Sequence, residues 1–138
     1  MSANSEVAGL AAGLLTRHGA AVPVDPARLA TAEGLRVETR TLPRGAGERL
    51  EDGALVVNAG LSPQWRRWAA ARGLGRHLLG QATPGRVRDV DLEEFAGYLL
   101  MPEAWLGDTE NPDYERLSDR FDVPLETVPF RLDRWACG

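Results

Sequence analysis

Near the N-terminus apolar residues recur at helical spacing, at Val7, Leu10, Ala11, Leu14 and Leu15, and the run closes on Arg17-His18-Gly19, a basic last turn before a glycine stop. Asp25-Pro26 places a capping carboxylate ahead of a proline at the first helical position, which predicts a short helix from Pro26 to Glu33, closed by Gly34. Leu35–Arg40 alternates apolar and polar, the period of a half-buried strand. Pro43–Gly47 reads as a loop, Glu51-Asp52-Gly53 as a turn, and Ala54–Asn58 as a second, more buried strand. Ser62-Pro63 opens a long helix predicted to run through Leu79 and stop at Gly80. A further helix covers Asp89–Leu100 and breaks at Pro102, and Pro112 and Pro124 begin two short final helices. The pattern predicts an α+β fold, with helices around a short twisted sheet and a C-terminal helical segment over 112–136.

A length of 138 residues suits one domain, and 43% hydrophobic with 26% charged residues is enough for a packed core. All 16 basic residues are arginine, so lysine chemistry is excluded and every cation is a planar fork suited to carboxylates. A net charge of −4 argues against generic binding to nucleic acid, which draws on clustered positive charge. No apolar run approaches the roughly 20 residues of a membrane helix. The single cysteine, Cys137, cannot form an internal disulfide, and the first twenty residues lack the pattern of a secretion signal, which together point to the cytoplasm. Charge is nonetheless uneven: residues 53–88 carry six arginines and no acid, while residues 89–138 carry thirteen acids and four arginines. Attraction between these two segments is expected.

Projected at about 100° per residue, the long helix gathers Trp68, Leu74, Leu78 and Leu79 in one arc, with Arg72 and Arg76 together at its border beside Trp65. Arg66 and His77 fall on the opposite side, expected to be wet. On the next helix Leu92, Phe95 and Leu99 share an arc that Asp89 and Glu93 border, so an arginine pair is set to face an acidic pair. Gly73 and Gly75 thin the first helix between the arginines, at about 1 kcal/mol each relative to alanine, which suggests close approach by another backbone. His18, His77 and Cys137 read as ordinary surface residues.

Three blocks of the chain, taken together, resemble the ImmA/IrrE family of HExxH zinc peptidases. They are Gly53–Asn58, then the run from Arg67 through Arg72-Gly73-Leu74-Gly75-Arg76-His77 to Gly80, then Phe95–Pro102. Pro23–Ala30 with Gly34–Val37 is similar to the family's opening, and Leu117–Pro124 with Arg131-Leu132 to its close. The resemblance implies a small zincin-like domain over residues 1–138. It also places Arg72 and Arg76 on the two zinc-binding histidines, Gly73 on the catalytic glutamate and Asp89 on the third ligand. Guanidinium has no lone pair to give a metal and repels it, and glycine accepts no proton. The sequence therefore implies no metal, no cofactor and no catalytic residue. Arg72, Arg76 or both are expected instead to pair with Asp89, assisted by Glu93, in an ion-pair network at the metal position.

Active relatives in that family are implied to cut helix-turn-helix repressors. The expectation for this chain is a catalytically inactive, protein-binding regulatory module whose partner is a transcriptional repressor or a peptidase paralogue. It would act through the old substrate cleft, with Trp65, Trp68 and Trp105 as possible contacts and Trp68 read first as core. Three alternatives stand beside it. One is a DNA-binding module through the helices of 113–132, which carry Asp113, Glu115, Asp119, Asp122 and Glu126 against it. Another is a residual peptidase with a rebuilt metal site, and the last an arginine pair that holds an external anion or peptide carboxylate.

Overall fold

Side-chain caps start the helices where the sequence supplies them. Asp25 Oδ1 accepts from the Arg28 amide at 3.3 Å, Ser62 Oγ from Trp65 at 3.4 Å and Asp113 Oδ1 from Arg116 at 3.1 Å. The computed structural model describes residues 3–107 and 110–137. Its helices are α1 (Ala3–His18), α2 (Pro26–Ala32), α3 (Pro63–Ala82), α4 (Asp89–Leu100), α5 (Tyr114–Phe121) and α6 (Thr127–Cys137), and its strands β1 (Arg36–Arg40), β2 (Glu48–Glu51) and β3 (Ala54–Asn58). The fold is α+β. No described helix is long and apolar enough to cross a membrane.

Several boundaries differ from expectation: α2 closes at Ala32, β1 opens at Arg36, and α5 and α6 start at Tyr114 and Thr127, two and three residues past their prolines. Helix α3 passes Gly80 and ends at Ala82, because Thr83 closes it by giving both its amide (2.7 Å) and its hydroxyl (3.0 Å) to the Leu79 carbonyl. Strand β2 was not legible at all: Leu50 is its one apolar residue. It exists because Asp52 (φ 43°) and Gly53 (φ 79°) both take the left-handed backbone, the signature of a two-residue hairpin turn that lays β2 antiparallel on β3. With β1 parallel to β3, the sheet order is β1-β3-β2, and both outer strands are edges.

The sheet is covered on one face by α3, while α1 and α4 complete the core. Val7, Ala11 and Leu14 of α1, Leu55 and Val57 of β3, Trp68 and Leu74 of α3, and Leu92, Phe95 and Leu99 of α4 are all buried in one cluster. Each contributes about 1.5–3 kcal/mol for the larger side chains. On the other face only Ala54, Val56 and Leu42 form a small second cluster. Around it Glu51 accepts from both Arg40 and Arg49 at the surface.

Two arginines to which the sequence reading gave no structural role hold the C-terminal helices. Arg67 donates from Nε to the Asp122 carbonyl (2.9 Å) and from Nη2 to the carbonyls of Val24 (2.6 Å) and Phe121 (3.3 Å), clamping the end of α5 to the entry of α2. Arg67→Ala leaves these acceptors without a charge-assisted donor, and a loss of about 2 kcal/mol is expected from denaturant unfolding midpoints. Arg131 of α6 is 1% exposed, gives Nε to the Met101 carbonyl at 3.0 Å and stacks on the Tyr98 ring at 4.4 Å. Burial pulls its pKa below the ordinary guanidinium value. At the other end of the chain, His18 is no loose surface residue: its Nε2 meets Glu33 Oε2 at 2.6 Å and ties the end of α1 to the end of α2. The side chain of Cys137 lies outside the described residues.

Candidate functional site

Strand β2 and helices α3 and α4 converge on one group of charges. Glu48 faces α3 from β2 with its side chain only 5% exposed, and it accepts from both arginines, from Arg72 Nε at 3.2 Å and from Arg76 Nη2 at 3.0 Å. Arg72, one turn before Arg76, also donates Nη1 to Glu93 Oε1 of α4. Glu93 completes its bonding by accepting the indole N–H of Trp68 at 3.1 Å. The result is a chain of charge-assisted bonds that crosses three elements. Burial opposes the charge on Arg72, but Glu48 and Glu93 outweigh it and hold its pKa above the ordinary guanidinium value.

The expected partner, Asp89, is displaced from the centre of this network. As the first residue of α4 its side chain is 92% exposed, and its nearest approach to Arg72 is 3.9 Å. Glu93, expected only to assist, is the α4 carboxylate that bonds directly. Glu48 was missed because it lies in the strand the sequence pattern did not reveal. The available signal was charge: residues 53–88 hold six arginines and no acid of their own, so their counter-ions had to come from elsewhere. The expected attraction between the basic and acidic segments is met in part, by Arg67–Asp122 and Arg72–Glu93, while Glu48 comes from the segment before both.

The glycines serve side chains rather than a second backbone. A Cβ on Gly73 would lie 2.0 Å from Leu55 Cδ1, and one on Gly75 would lie 2.7 Å from Phe95 Cδ1. Leu55 and Phe95 are both fully buried, so α3 settles onto β3 and α4 through these two gaps. Arg66 departs from the wet side expected for it: it is half-buried, and its Nε has no hydrogen-bond partner among the described residues. His77 is half-buried as well.

A cleft of about 540 Å³ opens above the network, between the loop at Gly45–Gly47 and the exposed border of α3. Trp65 lines it at the rim, 38% exposed, and Trp68 forms part of its floor, 2% exposed. Trp105 is 45% exposed but sits on a short 3₁₀ turn, Glu103–Trp105, and does not line the cleft. The internal carboxylate of Glu48 sits between the two arginines, and Arg76, 40% exposed, also lines the cleft. These residues do not fit a zinc ion, since neither Arg72, Gly73 nor Arg76 can donate an electron pair to a metal. Among the described residues no three His, Cys, Asp or Glu side chains gather as a metal-binding group.

Comparison with known proteins bears on the architecture alone. A solved chain described as a Mycobacterium tuberculosis transcriptional regulator superposes with a TM-score of 0.69 at 22% identity, over 92% of this chain and 46% of its own. The fold is thus shared with that regulator, of which this chain spans less than half the length. No protein-family model and no curated protein sequence matches the chain.

Proposed function

We propose that the chain is a degenerate, catalytically inactive relative of the ImmA/IrrE peptidases that works in the cytoplasm as a protein-binding regulatory module through its cleft. The observation that carries this reading is the Arg72–Glu48–Arg76 bridge with Glu93. It sits where the resemblance locates the zinc site and gives the helices a brace in place of coordinate bonds. An open cleft with a half-exposed tryptophan at its rim lies above Arg72, Gly73 and Arg76, none of which can ligate a zinc ion. The partner class is a segment of another protein, a helix-turn-helix repressor or a peptidase paralogue. The name of the structural neighbour, a transcriptional regulator, is in keeping with such a role.

DNA binding is the weaker reading. Of the acids in the C-terminal helices, Asp113, Glu115, Asp119 and Glu126 are exposed and would face the phosphates. A photo-crosslinking residue in place of Trp65, and separately of Trp105, tests the cleft in native lysate. One defined protein adduct is expected from position 65, lost on Arg76→Glu and absent from position 105. Equal labelling from both positions, or peptide-bond hydrolysis by zinc-loaded protein, would overturn the reading.

A further inference from the structure

The edge of the sheet farthest from the cleft carries a second set of unpaired groups. Arg36 gives its amide to the Gly53 carbonyl, and the Arg40 carbonyl accepts from Ala59. With β1 and β3 parallel in the register Arg36↔Ala54 to Arg40↔Asn58, Arg36, Glu38 and Arg40 turn their amides and carbonyls toward β3. Val37 and Thr39 turn theirs outward, to an edge that no other described strand covers.

The side chains of Val37 and Thr39 border a slot of about 280 Å³, whose walls include Pro26 and Ala27 of α2 and Pro63 and Ala70 of α3. Val57 lines it as well. Two arginines stand over this slot. Arg67 is committed to the three carbonyls it clamps, whereas the Arg66 Nε is buried without a hydrogen-bond partner. The carboxylate at the slot, Asp25, is engaged in capping α2 and makes no ion pair with Arg66 among the described residues. Outward main-chain groups, an apolar recess and a guanidinium whose Nε has no partner among the described residues therefore meet in one place.

We propose that the β1 edge is a docking site, separate from the cleft, for an extended segment of another protein that adds to the sheet as a fourth strand. The segment's main chain would pair with Val37 and Thr39, since such edges are templates for an incoming strand. One apolar side chain would enter the slot, and a carboxylate two residues from it would meet Arg66. Side chains two apart on a strand share a face, so an acidic-x-apolar pattern satisfies both contacts at once.

Panning a phage-displayed random heptapeptide library on the intact protein supplies probes, and amide hydrogen exchange with the selected peptides locates them. Selected peptides are expected to share an acidic residue two positions from an aliphatic or aromatic one, and to slow exchange at Val37 and Thr39 at least tenfold. Glu38, already bonded to β3, should stay unchanged. Thr39→Pro removes one outward amide and leaves the β3 ladder intact, so it should weaken binding about tenfold with the circular dichroism spectrum preserved. Arg66→Gln should keep the apolar preference and lose the acidic one. Peptides that protect Glu48 and Leu50 at the opposite edge would overturn the proposal. So would protection at Val37 and Thr39 that rises with protein concentration alone, which would mark a second copy as the occupant, or a library that yields no binder.

Discussion

Glu48→Ala should be among the most damaging single substitutions in the molecule, lowering stability by about 3 kcal/mol, while Asp89→Ala should leave the melting temperature unchanged. The contrast follows from burial. Glu48 is 5% exposed and stands between two guanidinium groups, so its loss leaves Arg72, itself 17% exposed, with Glu93 as its one close carboxylate. Removing one partner from a buried pair costs roughly 3–5 kcal/mol, and the lower end applies because Arg76, 40% exposed, can turn to water. Asp89 is 92% exposed, and exposed pairs contribute little. At roughly 3–5 °C per kcal/mol for a chain of this length, thermal unfolding should show a fall of about 10 °C or more for Glu48→Ala. Much of that difference should survive in 1 M salt, since buried pairs are screened far less than surface ones. If Asp89→Ala proved the costlier change, the network would be arranged as the sequence alone suggested.

Gly73→Ala carries the second large effect, and its sign is the informative part. In an ordinary helix interior the change stabilises by up to about 1 kcal/mol. Here the new methyl group would lie 2.0 Å from Leu55 Cδ1, a fully buried side chain between β3 and α3, and a loss of about 3 kcal/mol is expected. Leu55→Ala by itself should also destabilise, within the roughly 2–5 kcal/mol range for such truncations. In the Leu55→Ala background, however, Gly73→Ala should become neutral or stabilising, because it fills space that the truncation opened. Urea unfolding of the four proteins gives the coupling directly, and additive effects would show that the two sites do not touch. The same geometry explains how the chain accommodates glycine at this position: β3 has packed into the room a side chain would need.

Helices with caps were legible because their signals are local. Asp25-Pro26, Ser62-Pro63 and the apolar periods of α1 and α4 each lie within a few residues of what they determine. Strand β2 was not, since Glu48-Arg49-Leu50-Glu51 is polar on both faces: Glu48 finds arginines on one side, and Arg49 and Glu51 find each other on the other. Gly80 misled for a related reason, as a glycine ends a helix only when its neighbours offer no better cap, and Thr83 did.

The candidate site shows the same division. That Arg72 and Arg76 share a face, that they cannot hold a metal, and that Glu93 stands on a facing helix all follow from spacing and from the chemistry of guanidinium. Which carboxylates reach them does not. Asp89 and Glu93 border the same helical arc, and only the crossing of α3 over α4 turns Glu93 inward to Arg72 and Trp68 and leaves Asp89 in water. Glu48 is 24 residues from Arg72 and is delivered by a hairpin. Local periodicity and the absence of lysine, taken from the sequence, thus settled the helices, two of the three strands and the cations. Counter-ions, the gaps filled by Leu55 and Phe95, and the open edge of β1 were decided by tertiary packing. These depend on distances between segments far apart in the chain, which no local pattern encodes.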